Sequence, residues 1–139
     1  MDAEVVIAVV IRLDGRVLMV RRKQAEGALR WSFPGGKIND REAEGDASKR
    51  EVEEESGVQC FPLRKIGQWT HPDTAREISY WLCTHAGGKA QVREPEKIDR
   101  VEWLTPDQIV QRVGSAIFPK VMTEIRANAA SRIASAVPA

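Results

Sequence analysis

The stretch "GKINDREAEGDASKREVEEESGV", Gly36 to Val58, places eight acidic side chains in 23 residues, three of them consecutive at Glu53, Glu54 and Glu55. From Ala43 to Ser56 there is no strand-like alternation, good helix formers dominate, and Gly57 stands where a left-handed glycine ends a helix. The pattern predicts a helix over 43–56. On it Glu51, Glu54 and Glu55 project together, flanked by Arg50 and Glu53, because residues three and four apart are neighbours. Like charges at that spacing each cost about 0.2–0.5 kcal/mol. Nothing in the helix alone offsets that repulsion.

A divalent cation would offset it, since hard ions such as Mg²⁺ prefer carboxylate oxygens and leave their remaining positions to water and substrate phosphates. The ordinary reading of a charge run is a solvated face. Spacing decides between the two. Gly36, five residues, Glu42, seven residues and then Arg50, Glu51, Val52, Glu54, Glu55, Gly57 and Val58 fill every fixed position of G-x5-E-x7-R-E-U-x-E-E-x-G-U, where U is a bulky aliphatic. At average residue frequencies a chance match in a chain of this size has odds of roughly one in ten million.

That pattern is the Nudix box, so the chain resembles the Nudix hydrolases, and "WSFPGGKI" leading into it is similar to the MutT branch. The resemblance implies an α/β fold of the Nudix type, an α/β/α sandwich on a mixed β-sheet, and Mg²⁺-dependent hydrolysis, with Mn²⁺ as a substitute. The implied substrate is a nucleoside diphosphate linked to another group. For the MutT-like branch the reaction is cleavage of a nucleoside triphosphate to the monophosphate and pyrophosphate. Two alternatives stay open: a pyrophosphatase of ADP-ribose, dinucleotide polyphosphates or other conjugates, and a non-catalytic domain that senses a nucleotide.

Carried over residue by residue, the resemblance makes Glu54 and Glu55 metal ligands, Glu51 a further ligand or general base, and the Gly35 carbonyl a completing donor. Arg50 joins Glu51 and Glu54 in the candidate catalytic group through its pairing with Glu42, which ties the loop to the helix. Gly36, Glu42 and Gly57 are the structural positions of the box. Glu94 and Glu96, in "VREPEKIDRVEW", are candidates for the extra acidic ligand or base that many relatives bring from a distant loop. Arg22, Phe33, Gly36, Lys37 and Phe118 are the candidate substrate contacts: Arg22 for phosphate, the two phenylalanines for stacking on a base. An ungapped match of the C-terminal helix puts Ile117 where MutT carries the asparagine that reads an oxidised guanine. A hydrophobic side chain makes no such hydrogen bonds. Asn39 and Arg41 stand where relatives usually have an acidic residue and a glycine.

Around the box, Val5–Ile11 and Val17–Arg22 read as a hairpin across the "LDGR" turn, residues 23–30 as a loop, "WSF" as a short strand, and "PGG" as a break. "VQCFPLRKIGQW", "EISYWLCTHA" and "DRVEWLT" are strand-like. Thr105 with Pro106 opens one helix, and another starts near Phe118 or Pro119. The expected order is β-β-β-α-β-β-β-α-α, with a frayed tail over 131–139.

At 139 residues the chain is expected to form one domain over 1–139. A net charge of +1 gives no field that would draw a nucleic acid duplex or an anionic membrane, so a small nucleotide is the expected partner. Asp2 and Glu4 precede the first apolar run where a signal peptide would be positive, and the expected location is cytoplasmic. A homodimer is left open. Cys60 and Cys83 are expected as buried thiols, because no C-x-x-C or histidine pair accompanies them.

Overall fold

In the computed structural model, which describes residues 1–24, 29–72, 74–114 and 117–136, the β-branched run Val5–Ile11 forms strand β1 at the heart of a mixed sheet. The other strands are β2 (Val17–Lys23), β3 (Leu29–Ser32), β4 (Gly35–Lys37), β5 (Gln59–Thr70), β6 (Glu77–Gly87) and β7 (Ile98–Leu104). Helices are α1 (Glu44–Ser56), α2 (Pro106–Val113) and α3 (Pro119–Ala136). Among the described residues the sheet has seven strands in the order β3-β2-β1-β6-β5, with β4 added to β1 and β7 to β2. β1 runs parallel to β6, from Val5 opposite Ile78 to Ile11 opposite Thr84, and the remaining pairs are antiparallel.

Both faces of the sheet are covered, which is why β1 and β2 read as continuous apolar runs. Successive side chains go to opposite faces. Val9, Ile11, Val17 and Met19 join Leu82, Leu104, Ile109, Val121 and Ile125 in a core beneath α2 and α3. Ala8, Val10 and Leu18 join Val52, Val58, Cys60 and Cys83 in a second core beneath α1. Both cysteines are buried free thiols. Helix, sheet and helix therefore form the expected α/β/α sandwich.

Three local expectations need correction. Gly35–Lys37 is not a break but a strand, because its register on β1 (Val5 with Lys37, Val6 with Gly36, Ile7 with Gly35) supplies the order that glycine lacks by itself. Of the loop expected over 23–30, Lys23 extends β2 and Leu29 and Arg30 begin β3; residues 25–28 lie outside the described residues. The expected fraying from 131 gives way to helix through Ala136, in keeping with the alanines along α3; 137–139 lie outside the described residues.

Thr105 closes a capping box with Gln108, with Pro106 in the first turn of α2, as the sequence leads one to expect. α1 ends at Gly57, whose φ of 73° is left-handed. Among the described residues no helix is long and apolar enough to cross a membrane.

Candidate active site

The site starts from the close approach of β4 to α1. A Cβ added at Gly35 would fall 2.3 Å from the Val6 carbonyl oxygen, and one at Gly36 would fall 2.6 Å from the Glu51 carboxyl carbon. Glycine at 36 lets β4 lie against the acidic face of the helix, and glycine at 35 lets it lie close on β1.

Glu55 is 2% exposed, yet its charge is compensated on every side. The Gly35 amide donates to it at 2.8 Å, and Arg22 reaches its two oxygens at 2.7 and 3.0 Å. Arg22 also donates to the Ser32 hydroxyl at 2.8 Å and, at 3.4 Å, to the Gly35 carbonyl. A buried carboxylate is tolerated only with such partners.

Arg50 organises the other side of the helix. It holds both oxygens of Glu42 at 2.8 Å and donates to the Lys37 carbonyl at 3.0 Å, so loop, β4 and α1 are fastened at one guanidinium. Its hydrogen bonds, with help from the Asn39 amide, hold the Glu42 carboxyl down at about 2. The same guanidinium stands 3.0 Å from Glu51 and 3.3 Å from Glu54, a positive group already seated between two carboxylates. Glu51 is pushed above the usual carboxylate range, first by burial and further by Glu55 and Glu54, with Arg50 opposing. Glu54 is 51% exposed in its side chain and free to turn outward.

Glu51, Glu54, Glu55 and the Gly35 carbonyl are all hard oxygen donors of the kind Mg²⁺ takes. Among the described residues no three acidic, histidine or cysteine side chains converge tightly enough to enclose an ion as they stand. Two arginines divide the carboxylates between them instead. The donor chemistry fits a divalent cation, and Arg50 occupies a cationic place between Glu51 and Glu54.

Glu94 and Glu96 lie in the turn that leads into β7, where the Lys97 carbonyl accepts from the Lys23 amide and Ile98 stands opposite Arg22. The turn is therefore one strand away from Arg22, but neither carboxylate makes an ion pair or hydrogen bond among the described residues. Lys37 is exposed at the end of β4.

On the opposite face of the sheet a cleft of about 710 Å³ opens between β3, β5, β6 and the α2–α3 connection. Phe33 and Phe118, the two expected stacking rings, both line it, and so does Ile117. Phe33 is only 8% exposed, and Phe118 is already stacked on Trp69, with centroids 5.5 Å apart and planes 13° apart. Trp31, Trp69, Tyr80, Arg30 and Arg112 also line the cleft and were not singled out from the sequence. Burial holds the Tyr80 hydroxyl up at about 12, so it stays a neutral donor. A detectable signal was the alternation of β3: Trp31 opposes Arg21, while Arg22 bonds Ser32. All four residues of this short strand line the cleft, and Ser32 serves the Arg22–Glu55 pair as well.

The NUDIX domain family matches residues 1–124. A MutT-like protein of Streptomyces ambofaciens is 32% identical over 108 residues, covering 78% of this chain and 67% of that one. An 8-oxo-(d)GTP phosphatase of Mycolicibacterium smegmatis is 29% identical over 85 residues, 60% of this chain, and the match spans only 26% of that longer protein. Among solved structures, a NUDIX hydrolase from Nitrosomonas europaea superposes with a TM-score of 0.71 at 23% identity, covering 94% of this chain and 91% of the other.

Proposed function

This chain belongs to the NUDIX domain family, and from that premise we propose that it is a MutT-like pyrophosphohydrolase that uses Mg²⁺ to cleave a nucleoside triphosphate into a monophosphate and pyrophosphate. The observation that carries the reading is the seating of Glu51 and Glu55 against the glycine strand β4, with Glu54 beside them at Arg50, across the sheet from an aromatic cleft large enough for a nucleoside.

Glu54, Glu55 and the Gly35 carbonyl are the groups that would hold the cation. When bound, it supplies positive charge against the polyphosphate and the charge that develops during its cleavage. Arg22 has two duties in this reading: it neutralises buried Glu55 and stands beside the path of the phosphate chain. Arg50 keeps Glu51 and Glu54 in position through its grip on Glu42. Glu51, whose raised proton affinity suits a base, takes the proton of the attacking water. The water oxygen bonds to one of the two phosphorus atoms that share the bridging oxygen between monophosphate and pyrophosphate, as that atom's bond to the bridging oxygen breaks. Glu94 and Glu96 are the second choice for this proton transfer, since neither contacts the box carboxylates.

The test is product analysis after incubation of the purified protein and Mg²⁺ with normal and oxidised nucleoside triphosphates, ADP-ribose and a diadenosine polyphosphate. Monophosphate plus pyrophosphate from a triphosphate is the expected result. Cleavage confined to a conjugate would replace the triphosphate reading, and nucleotide binding without turnover would replace catalysis by sensing.

A further inference from the structure

Arg112 is the cleft's most firmly fixed cation. It leaves α2 one residue before the helix ends, and its guanidinium carbon lies 5.0 Å from the centroid of Trp31, over the ring. One nitrogen donates to Glu102 of β7 at 3.0 Å. Trp31 is itself steadied by a second cation, Arg21, at 5.8 Å, and Arg21 is clamped by Asp99 at 2.8 and 2.6 Å. Ring and carboxylate thus hold Arg112 in place from two sides, while its side chain stays 35% exposed and lines the cleft. A guanidinium carries five N–H donors in a rigid fork, and one bond to Glu102 leaves several for a ligand. Arg30 also lines the cleft, but no ring or carboxylate fixes it among the described residues.

We propose that Arg112 is a specificity residue that reads a substrate base through two adjacent acceptor atoms on one ring edge. A planar fork held in one orientation recognises paired acceptors bidentately, as arginine does with O6 and N7 of guanine. Cytosine offers the same pattern at O2 and N3. Uracil does not, because N3–H separates its two carbonyls, and adenine does not, because none of its ring-nitrogen acceptors has a second acceptor beside it on the same edge. In 8-oxoguanine N7 carries a hydrogen, which opposes the fork. The cleft therefore favours cytosine and guanine triphosphates over those of uracil, adenine and 8-oxoguanine. This inference rests on the nucleotide-hydrolase reading of the site.

The experiment is steady-state kinetics of the full chain with CTP, GTP, UTP, ATP and 8-oxo-dGTP, for wild type and Arg112→Lys. Lysine keeps the charge and loses the fork. Wild type is expected to prefer CTP and GTP. Arg112→Lys should raise KM for those two by roughly 5- to 150-fold, with kcat changed less than about twofold and KM for UTP little affected. A wild-type preference for 8-oxo-dGTP or UTP overturns the proposal, as does a variant that keeps the original ranking. Should the variant not fold, the wild-type ranking decides alone. Should only nucleoside diphosphate conjugates be cleaved, the triphosphate reading falls, and the same comparison among CDP-, GDP- and UDP-linked substrates decides the role of Arg112. Absence of both turnover and nucleotide binding overturns the two together.

Discussion

Both carboxylate oxygens of Glu42 lie 2.8 Å from the guanidinium of Arg50, eight residues along the chain, and the same guanidinium touches Glu51 and Glu54. The loop before α1 and the acidic face of α1 are thus positioned by one group. Glu42→Gln should weaken the grip without removing the side chain, lowering stability by about 1–3 kcal/mol and Mg²⁺ affinity by roughly 10- to 100-fold. Denaturant melts and a Mg²⁺ titration of turnover check this. Because Glu42 is held at about 2, its stabilising contribution is present above the ordinary carboxylate pKa and disappears as pH falls toward 2. Wild type should therefore lose more stability than Glu42→Gln between pH 5 and about pH 2.

Arg22 and Glu55 form the most buried ion pair of the site, and breaking it from one side strands a charge. Arg22→Ala is expected to destabilise by roughly 3–5 kcal/mol. Adding Glu55→Gln to that background should restore part of the loss. Thermal or urea melts of the single and double variants measure the recovery; additive losses would mean the pair is not coupled.

Glu54 is half-exposed, so Glu54→Gln should leave the melting temperature within a few degrees of wild type. Its cost should fall on the cation instead, with a roughly 10- to 100-fold higher Mg²⁺ requirement and lower turnover at saturation. Unchanged turnover in excess Mg²⁺ would remove Glu54 from the metal-binding set.

Gly36→Ala sets a methyl group against the Glu51 carboxylate, which sits at the flexible end of a side chain and can move away. The fold should survive while kcat falls at least about tenfold, because Glu51 is the base of the proposed mechanism and a base displaced by about an ångström transfers protons poorly. Circular dichroism alongside single-turnover kinetics separates the two effects.

Glu51 has a raised pKa in the folded chain, so its ionised form is disfavoured there and its contribution to stability is lost as pH rises through that value. In the presence of a chelator, Glu51→Gln should therefore melt higher than wild type near pH 8 and close to it near pH 4. In the presence of Mg²⁺ the same variant should lose the acid limb of the kcat/KM profile, because the ionised form is the proton acceptor in the proposed mechanism.

The box was legible because its members lie within 23 residues and each imposes a local requirement: glycine at a close approach, carboxylates on one helix face, arginine within reach of Glu42. Thr105 and Pro106 announced α2 for the same reason, since a cap is a matter of neighbouring residues. β4 was not legible. Gly35 and Gly36 have no strand preference of their own and become a strand only by pairing with β1, about thirty residues earlier in the chain. The cleft was hidden for a similar reason, being assembled from β3, β5, β6 and the approach to α3. Phe33 and Phe118 were found because the family resemblance pointed to them; Trp31 and Arg112 meet only in the folded chain. Arg22 was read as a phosphate contact, whereas in this structure its nitrogens are directed to Glu55, Ser32 and the Gly35 carbonyl.

Two tasks meet within the four residues of β3: all of them line the cleft, and Ser32 in addition braces the arginine beside the buried carboxylate. Exchanges at position 31 can alter what is admitted while the bond-breaking apparatus stays intact. Exchanges at position 32 touch both at once, since Ser32 borders the cleft and accepts from Arg22. A lineage carrying this strand can thus wander in diet at position 31 without relearning its chemistry, and laboratory diversification of the enzyme should randomise that position and leave position 32 alone.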